Sequence, residues 1–230
     1  MSEALTISED IKSQVTNEEW SLREDLAAAY RLVANYGWDD MVFTHLSARV
    51  PGPEEHFLLN PFGILFEEVT ASSLVKIDLN GEIVLDNGYQ VNAAGFTIHS
   101  AIHAAREDAM AVMHLHTDSG VAVSCMEEGL LPLNQHAMFV YHDVAYHDWE
   151  GVALNLDERE RLVADIGDKH LMMLRNHGTL AVGGSIASCF MRLYYLERSC
   201  NIQVKAMKGK LSMPSQAAVE MMKETFSNPK

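Results

Sequence analysis

Apolar positions spaced three and four residues apart predict one helix near the start of the chain and another near its end. The first begins at Thr16-Asn17-Glu18-Glu19, where the threonine and the glutamate three residues later suggest a capping box, and it extends to about Gly37. Ser185 is expected to cap the second, which continues to about Met207. Shorter helices are predicted over residues 94–106, 118–128 and 155–167, the last capped by Asn155.

Short runs of apolar and β-branched residues between these helices predict strands. They cover residues 43–49, 56–60, 75–79, 82–85, 109–114, 171–175 and 179–182. Asn80-Gly81, between the third and fourth runs, is the signature of a type I′ hairpin turn. The alternation predicts an α/β fold in which helices cover a mostly antiparallel central sheet.

One folded domain is expected over residues 16–208, because no linker-like composition interrupts it. Residues 1–15 are polar and aperiodic, which is typical of a flexible arm. Residues 209–230 form a more polar tail, for which the expected partner is a neighbouring subunit.

Composition and charge narrow the class of protein. The net charge of −15, from 17 basic and 32 acidic residues, argues against nucleic acids and anionic membranes as partners. No apolar run approaches the roughly 20 residues of a membrane span, and the first five residues do not resemble a signal peptide. Cys125, Cys189 and Cys200 lack motif spacing and are interpreted as buried free thiols, so a cytoplasmic protein is expected.

Eleven histidines are many for 230 residues, and three of them suggest a metal site. His114 and His116 lie two apart in a predicted strand, so their side chains share one face and can bind one ion. His177 is followed by Gly178, which lets the backbone pass close to another group. Three imidazoles with an open position are typical of catalytic zinc. The alternatives are a pair of surface or core histidines in the strand and an ordinary turn histidine at position 177.

Five stretches then resemble the class II aldolase/adducin family, in the right order over about residues 20–208. They are His99-Ser100-Ala101-Ile102-His103, His114-Leu115-His116-Thr117, Gly129-Leu130-Leu131-Pro132, Val144-Ala145-Tyr146-His147-Asp148 and Leu174-Arg175-Asn176-His177-Gly178-Thr179. Among the branches of this family, the chain is most similar to the adducin-like bacterial proteins. His99 and His103 are interpreted as packing or hydrogen-bonding histidines beneath the site, and His147 as a turn residue.

The resemblance implies an αβα three-layer fold and a homotetramer with active sites between subunits. It also implies a divalent metal, most often zinc, held by His114, His116 and His177. Fe²⁺, Mn²⁺ or Co²⁺ would accept the same ligands. In the aldolases the metal stabilises an enolate-like intermediate when a carbon–carbon bond breaks.

Several positions depart from the sugar-phosphate aldolases. Gly95 stands where the resemblance places an acid/base glutamate, and Ala93 and Ala94 replace phosphate-binding hydroxyl residues. His45-Leu46-Ser47 and Asn60-Pro61-Phe62-Gly63 replace two further phosphate loops, so Asn60, Gly63 and Gly95 become candidate substrate-binding residues. A phosphorylated sugar is therefore not expected.

Proton transfer would then fall to other residues. His136 aligns with a tyrosine that some aldolases receive from a neighbouring subunit, and His45 and Tyr141 are further candidates, since imidazole titrates near neutral pH. We expect a metal-dependent lyase that cleaves a carbon–carbon bond, by retro-aldol reaction or decarboxylation, in a small non-phosphorylated aromatic or carboxylated substrate. The alternatives are a non-haem iron oxygenase on the same histidines and a non-catalytic adducin-like interaction module.

Overall fold

A computed structural model describes residues 10–91, 93–151 and 157–227, with the backbone alone at 93–96 and 226–227. Its strands form one eight-stranded sheet in the order β4-β3-β2-β1-β5-β8-β7-β6. Only the pairing of β6 with β7 is parallel. The strands are β1 His45–Arg49, β2 Phe57–Leu59, β3 Val75–Ile77, β4 Ile83–Leu85, β5 Ala111–Leu115, β6 Val144–His147, β7 Leu171–Leu174 and β8 Gly178–Gly183.

Helices cover both faces of this sheet, which confirms the predicted α/β class and the αβα layering. The described helices are α1 Asn17–Asn35, α2 Ala93–Ala105, α3 Asp118–Ser124, α4 Gln135–Val140, α5 Glu158–Ile166, α6 Ile186–Ala206 and α7 Gln216–Ser227. None of them combines the length and the apolar content that crossing a bilayer requires.

Alternating side chains of the strands build separate apolar clusters on the two faces of the sheet. On one face, Met113 packs with apolar residues of α1 and α6, while on the other face its neighbour Val112 packs with α2 and α5. This is the period of two expected for a strand that is covered on both sides. Because β5 lies between β1 and β8, its side chains reach both halves of the sheet.

The first helix begins as predicted, but its capping box is only half formed. The Thr16 hydroxyl accepts a hydrogen bond from the backbone N–H of Glu19. The Glu19 carboxylate does not return to the cap; it binds the buried Arg23 guanidinium at 2.9 Å and the Lys76 ammonium at 2.8 Å. The glutamate therefore joins α1 to β3.

The predicted hairpin between β3 and β4 is present, but its type I′ turn is wrong. A type I′ turn needs positive φ at both central residues, and of Asn80 and Gly81 only Gly81 has it, at 85°. The Asp78 carboxylate accepts from the N–H groups of Asn80 and Glu82. This side chain organises a longer turn, and the strands begin to pair only at Ile77 and Ile83.

The structure also bears on three other expectations, which concern the cysteines, the N-terminal arm and the C-terminal tail. Cys125 is exposed, because it follows the last turn of α3, so its prediction as a buried thiol is wrong; Cys189 and Cys200 are buried and free. Residues 10–13 form one helical turn that buries Ile11. In the tail, α7 packs against α4 of the same chain. Asn155 lies outside the described residues.

Candidate metal centre

The end of β5 brings two imidazoles together. His114 is the fourth residue of the strand and His116 follows its last residue, so both side chains lie on the same side of the sheet. Their Nε2 atoms are 2.9 Å apart. Strands β1 and β8 hold β5 on either side, with His114 paired to His45 and to Leu180. The platform is therefore central and rigid.

A tight turn between β7 and β8 adds His177. Asn176 has a φ of 57°, which reverses the chain, and the His177 N–H donates to the carbonyl oxygen of Leu174 at 3.1 Å. The Arg175 guanidinium holds the turn by donating to the Met126 carbonyl at 2.5 Å. The His177 ring then lies 4.7 Å from the His114 ring and 4.8 Å from the His116 ring, between centroids.

Hydrogen bonds on the outer side of two rings fix where their lone pairs point. His114 Nδ1 lies 2.9 Å from the carbonyl oxygen of Thr179, and His116 Nδ1 lies 3.1 Å from a carboxylate oxygen of Asp40. Both partners only accept, so each Nδ1 carries the proton and each Nε2 of a neutral ring is bare. Two bare nitrogens at 2.9 Å repel unless a cation lies between them. The residues present therefore fit a metal ion bound through nitrogen.

Burial also favours the neutral form of His114 and His177, which is the form that can bind a metal ion. It lowers the pKa of His114 well below the usual value, with further lowering from His177 and His116. Burial and the neighbouring His116 lower the pKa of His177 to about 4. Within the described chain, one ligand atom from each of His114, His116 and His177 lies within 4.8 Å of the other two, and no second such group is found there.

Gly178 lets the turn approach β5. A Cβ at this position would lie 2.3 Å from the Leu115 carbonyl oxygen and 3.3 Å from a ring carbon of His114. The backbone of β8 therefore passes β5 at a distance that only glycine allows, and this close approach brings His177 to the pair.

Comparisons with known proteins agree with this geometry. The family described as the class II aldolase and adducin N-terminal domain matches residues 24–204. The chain belongs to the class II aldolase and adducin family. Class II aldolases use a divalent metal ion, usually zinc, and His114, His116 and His177 form a group that could hold one.

Three members of the family show how far the similarity extends. A Caulobacter vibrioides protein provisionally named a class 2 aldolase is 62% identical over 197 residues, covering 86% of this chain and 77% of its own. Mouse alpha-adducin is 46% identical over 190 residues, covering 81% of this chain but only 26% of adducin. The structure of an L-fuculose 1-phosphate aldolase from Glaciozyma antarctica, 33% identical, has a TM-score of 0.81 and covers 91% of this chain and 82% of its own.

His45 lies beside the candidate metal centre. It is buried, pairs with His114 across β1 and β5, and its Nδ1 is 2.9 Å from the amide oxygen of Asn60. An amide oxygen only accepts, so Nδ1 carries the proton and Nε2 keeps its lone pair. Burial lowers the pKa of His45, and the hydrogen bond that its Nδ1 donates to the Asn60 amide oxygen opposes this shift. Asn60 thus orients His45, and its amide oxygen also accepts from the Tyr30 hydroxyl.

His99 and His103 lie beneath the site, packed on β1. The Ser47 hydroxyl lies 2.6 Å from His99 Nδ1 and 2.8 Å from His103 Nε2, and His103 Nδ1 bonds the Ala109 carbonyl at 2.8 Å. This series of hydrogen bonds connects α2 to β1 and to the start of β5. Burial lowers the pKa of His103 to about 3, so the ring is neutral.

The other candidate residues lie further from the triad or are only partly described. Gly63 is in an exposed loop with a φ of 82°, and Gly95 is in the first turn of α2, where only the backbone is described. His136 and Tyr141 lie on α4 and directly after it, and α4 packs on α6 and α7. His45 and His99, in contrast, lie on the face that α2 covers. The described contacts of one chain do not bring His136 or Tyr141 to the metal ligands.

Sequence reasoning missed the residues that support the ligands. Asp40 is in a loop without periodicity, and the Thr179 carbonyl belongs to the backbone, so neither carried a signal. Glu197 on α6 was also missed: its carboxylate accepts from the hydroxyls of Thr117 and Thr179 and is almost fully buried. A glutamate on the apolar side of a helix is the one signal that could have revealed it, because unpaired carboxylates are rarely buried.

Glu197 should make the stability of the metal-free protein depend on pH. Burial raises its pKa from 4.5 to about 7, although both threonine hydrogen bonds oppose the shift. A raised folded-state pKa stabilises the fold below the unfolded value and loses that stability as pH rises through the folded one. Between pH 4.5 and 8 the loss should reach about 3 kcal/mol.

Denaturant titration at several pH values would measure this pH-dependent contribution of Glu197 to the free energy of unfolding. The natural chain and Glu197→Gln are compared. The amide does not titrate, so the difference between the two proteins should change by this amount as pH rises. A difference that stays constant from pH 5 to 8 would show that Glu197 does not titrate in this range.

Proposed function

We propose that this protein is a divalent-metal-dependent lyase that cleaves a carbon–carbon bond in a small non-phosphorylated, aromatic or carboxylated substrate. The convergence of His114 and His116 carries the proposal, because their bare Nε2 atoms lie 2.9 Å apart and His177 stands beside both. The 33% identity to a fuculose phosphate aldolase supports cleavage by retro-aldol chemistry. Two departures from the sugar-phosphate aldolases favour a different substrate. Ala93 and Ala94 replace their phosphate-binding hydroxyl residues, and Gly95 replaces their acid/base glutamate.

Each residue has a role in this proposal. His114, His116 and His177 would hold the ion, with Asp40 and the Thr179 carbonyl keeping two of the rings in place. When bound, a divalent ion supplies Lewis-acid chemistry that withdraws electrons from substrate oxygens, and zinc is the first candidate. His45 would accept the substrate proton on Nε2, and Asn60 would keep that nitrogen bare by binding Nδ1.

His136 and Tyr141 remain candidates for the second proton-transfer step. They lie in the layer of α4, α6 and α7, so they would reach a metal centre only across a subunit boundary. We therefore propose a homotetramer in which one subunit provides the three ligands and a neighbour provides His136 or Tyr141. Such a site also protects the reacting bond from water.

Two other functions use the same scaffold. Three neutral imidazoles with open positions also suit Fe²⁺ and O₂, which would make the protein an oxygenase. The 46% identity to mouse alpha-adducin favours an interaction module, although this chain spans about a quarter of that protein. Metal content and oxygen use distinguish all three.

Elemental analysis combined with an anaerobic assay tests the proposal. The purified protein is incubated with β-hydroxy ketones and hydroxybenzoates, and the release of aldehyde or of CO₂ is followed. Bound zinc or manganese with turnover in the absence of O₂ is the expected result. Bound iron with O₂ consumption would replace the lyase by the oxygenase, and metal-free, inactive protein would favour the module.

The role of His45 has a direct test in the same assay. His45→Gln should lower kcat by about 100-fold or more, because it removes the bare nitrogen, while metal content stays unchanged. His170→Gln is the matched control, since His170 is half-buried, immediately precedes β7 and binds the Asp143 carboxylate. Equal activity of His45→Gln and the natural chain would exclude His45 as the base.

A further inference from the structure

Glu197 connects two segments that carry metal ligands. It lies near the middle of α6, 2% exposed, and each of its carboxylate oxygens accepts from a different threonine hydroxyl. Thr117 follows the end of β5, and Thr179 lies on β8. One side chain from a helix therefore spans two strands of the sheet.

Each threonine is directly linked to the triad. Thr117 is the residue after His116, and its hydroxyl oxygen also accepts from the Gly120 N–H, which caps α3. Thr179 lies two residues after His177, and its carbonyl oxygen accepts from His114 Nδ1 at 2.9 Å. A shift of either threonine would therefore move a ligand or change the bond that sets its tautomer.

The space around this carboxylate leaves little freedom for such a shift. A Cβ at Gly120 would lie 2.9 Å from the Thr117 hydroxyl, 2.9 Å from the Thr179 methyl and 3.1 Å from a Glu197 oxygen. The four residues thus pack against one another at van der Waals distance. When Glu197 is ionised, each of its oxygens can accept one hydroxyl hydrogen, which an amide cannot reproduce because it offers one acceptor and one donor group.

We propose that Glu197 is a positioning residue of the metal centre: it does not bind the ion, but it holds Thr117 and Thr179 so that His114, His116 and His177 converge. This inference rests on the metal site of the proposed function. It adds the residue that determines how tightly, and in what geometry, that site holds its ion. Outer residues of this kind typically change metal affinity by about 10- to 100-fold.

A purely structural role is the competing explanation, and the same helix offers a control for it. Gln203 is also buried, accepts from the Leu131 N–H at 2.8 Å and donates to the Gly129 carbonyl at 2.8 Å. It ties α6 to the loop after α3 and touches none of the metal ligands. Gln203→Glu replaces its donor by an acceptor, so it weakens the fold without changing the threonine pair.

Titration of the full chain with Co²⁺ at fixed pH tests the proposal, because the visible absorption of bound Co²⁺ reports ligand geometry. Glu197→Gln should weaken Co²⁺ binding by about 10-fold or more and change the visible spectrum. Thr179→Val, which removes one hydroxyl and keeps the carbonyl, should do the same and serves if Glu197→Gln does not fold. Gln203→Glu should leave both the affinity and the spectrum unchanged.

Three outcomes would overturn the inference in distinguishable ways. If Glu197→Gln and Thr179→Val bind Co²⁺ with the natural affinity and spectrum, Glu197 has no positioning role, while the metal site stands. If the natural chain takes up no Co²⁺, the metal site itself is wrong and the proposed function fails with it. Equal losses in Gln203→Glu would reduce Glu197 to a general packing residue.

Discussion

Replacing His114 by alanine is expected to abolish stoichiometric metal binding and to lower metal-dependent turnover by about 1000-fold or more. His114 is the most buried of the three candidate ligands, and its ring lies 4.7 Å from each of the other two rings, between centroids. Without it, His116 and His177 provide two nitrogens, which do not complete the three-nitrogen set of a catalytic site. Metal content after dialysis against a weak chelator measures the first effect, and the anaerobic assay measures the second.

His142→Ala is the control for this substitution. His142 is a half-buried histidine that bonds the Val219 carbonyl near α7, in the layer opposite α2. Its removal should leave one ion per chain. A His114→Ala protein that retains a full equivalent of metal would show that the ion binds elsewhere.

Among substitutions that add a single methyl group at the candidate metal centre, Gly178→Ala should destabilise the protein most. The new Cβ would lie 2.3 Å from the Leu115 carbonyl oxygen, and a backbone atom between paired strands cannot rotate away. We expect a loss of about 4 kcal/mol in the free energy of unfolding, at the upper end of the range for point mutations. Because β8 must move away from β5, the affinity for metal should fall as well.

Gly184→Ala provides a control six residues further on. A Cβ there would meet its nearest atom, the Asp108 carbonyl oxygen, at 4.0 Å, so no contact is strained. Denaturant titration should place this variant within about 0.5 kcal/mol of the natural chain. If Gly178→Ala is equally stable, the close approach of β8 to β5 is not required.

The metal triad could be predicted from sequence because its signals are local. Two histidines at i and i+2 in an apolar run share a face whatever the rest of the fold does, and a glycine after His177 marks a close approach. The structure places all three together. The helices α1 and α6 could be predicted for the same reason, since Thr16 and Ser185 cap them within one turn.

The elements that were missed have no signal within their own residues. β6 has four residues and gains its stability by pairing in parallel with β7, so His147, interpreted as a turn residue, is in fact the last residue of a strand. There it binds Asp165 and Glu158 of α5. α4 has six residues and packs on α6, a contact that periodicity cannot show.

The supporting residues of the site were hidden for a related reason. Asp40 meets His116 across a separation of 76 residues, and Glu197 meets Thr117 across 80. Only the fold brings these pairs together, and each residue alone looks like an ordinary charged side chain. Sequence therefore indicates which side chains form the candidate metal site, whereas the groups that orient those side chains are determined by packing.

The position of the candidate ligands along the chain would also determine when the protein could take up a metal ion. His114 and His116 leave the ribosome about 60 residues before His177, and the third nitrogen joins them only when β8 pairs with β5. A chain still under synthesis offers two imidazoles, which hold a divalent ion weakly. If these residues hold an ion as proposed, loading would follow closure of the sheet, and the bound ion would stabilise the folded protein. A shortage of the metal would then leave folded protein without its ion. This form would be less stable and would be degraded more readily by proteases.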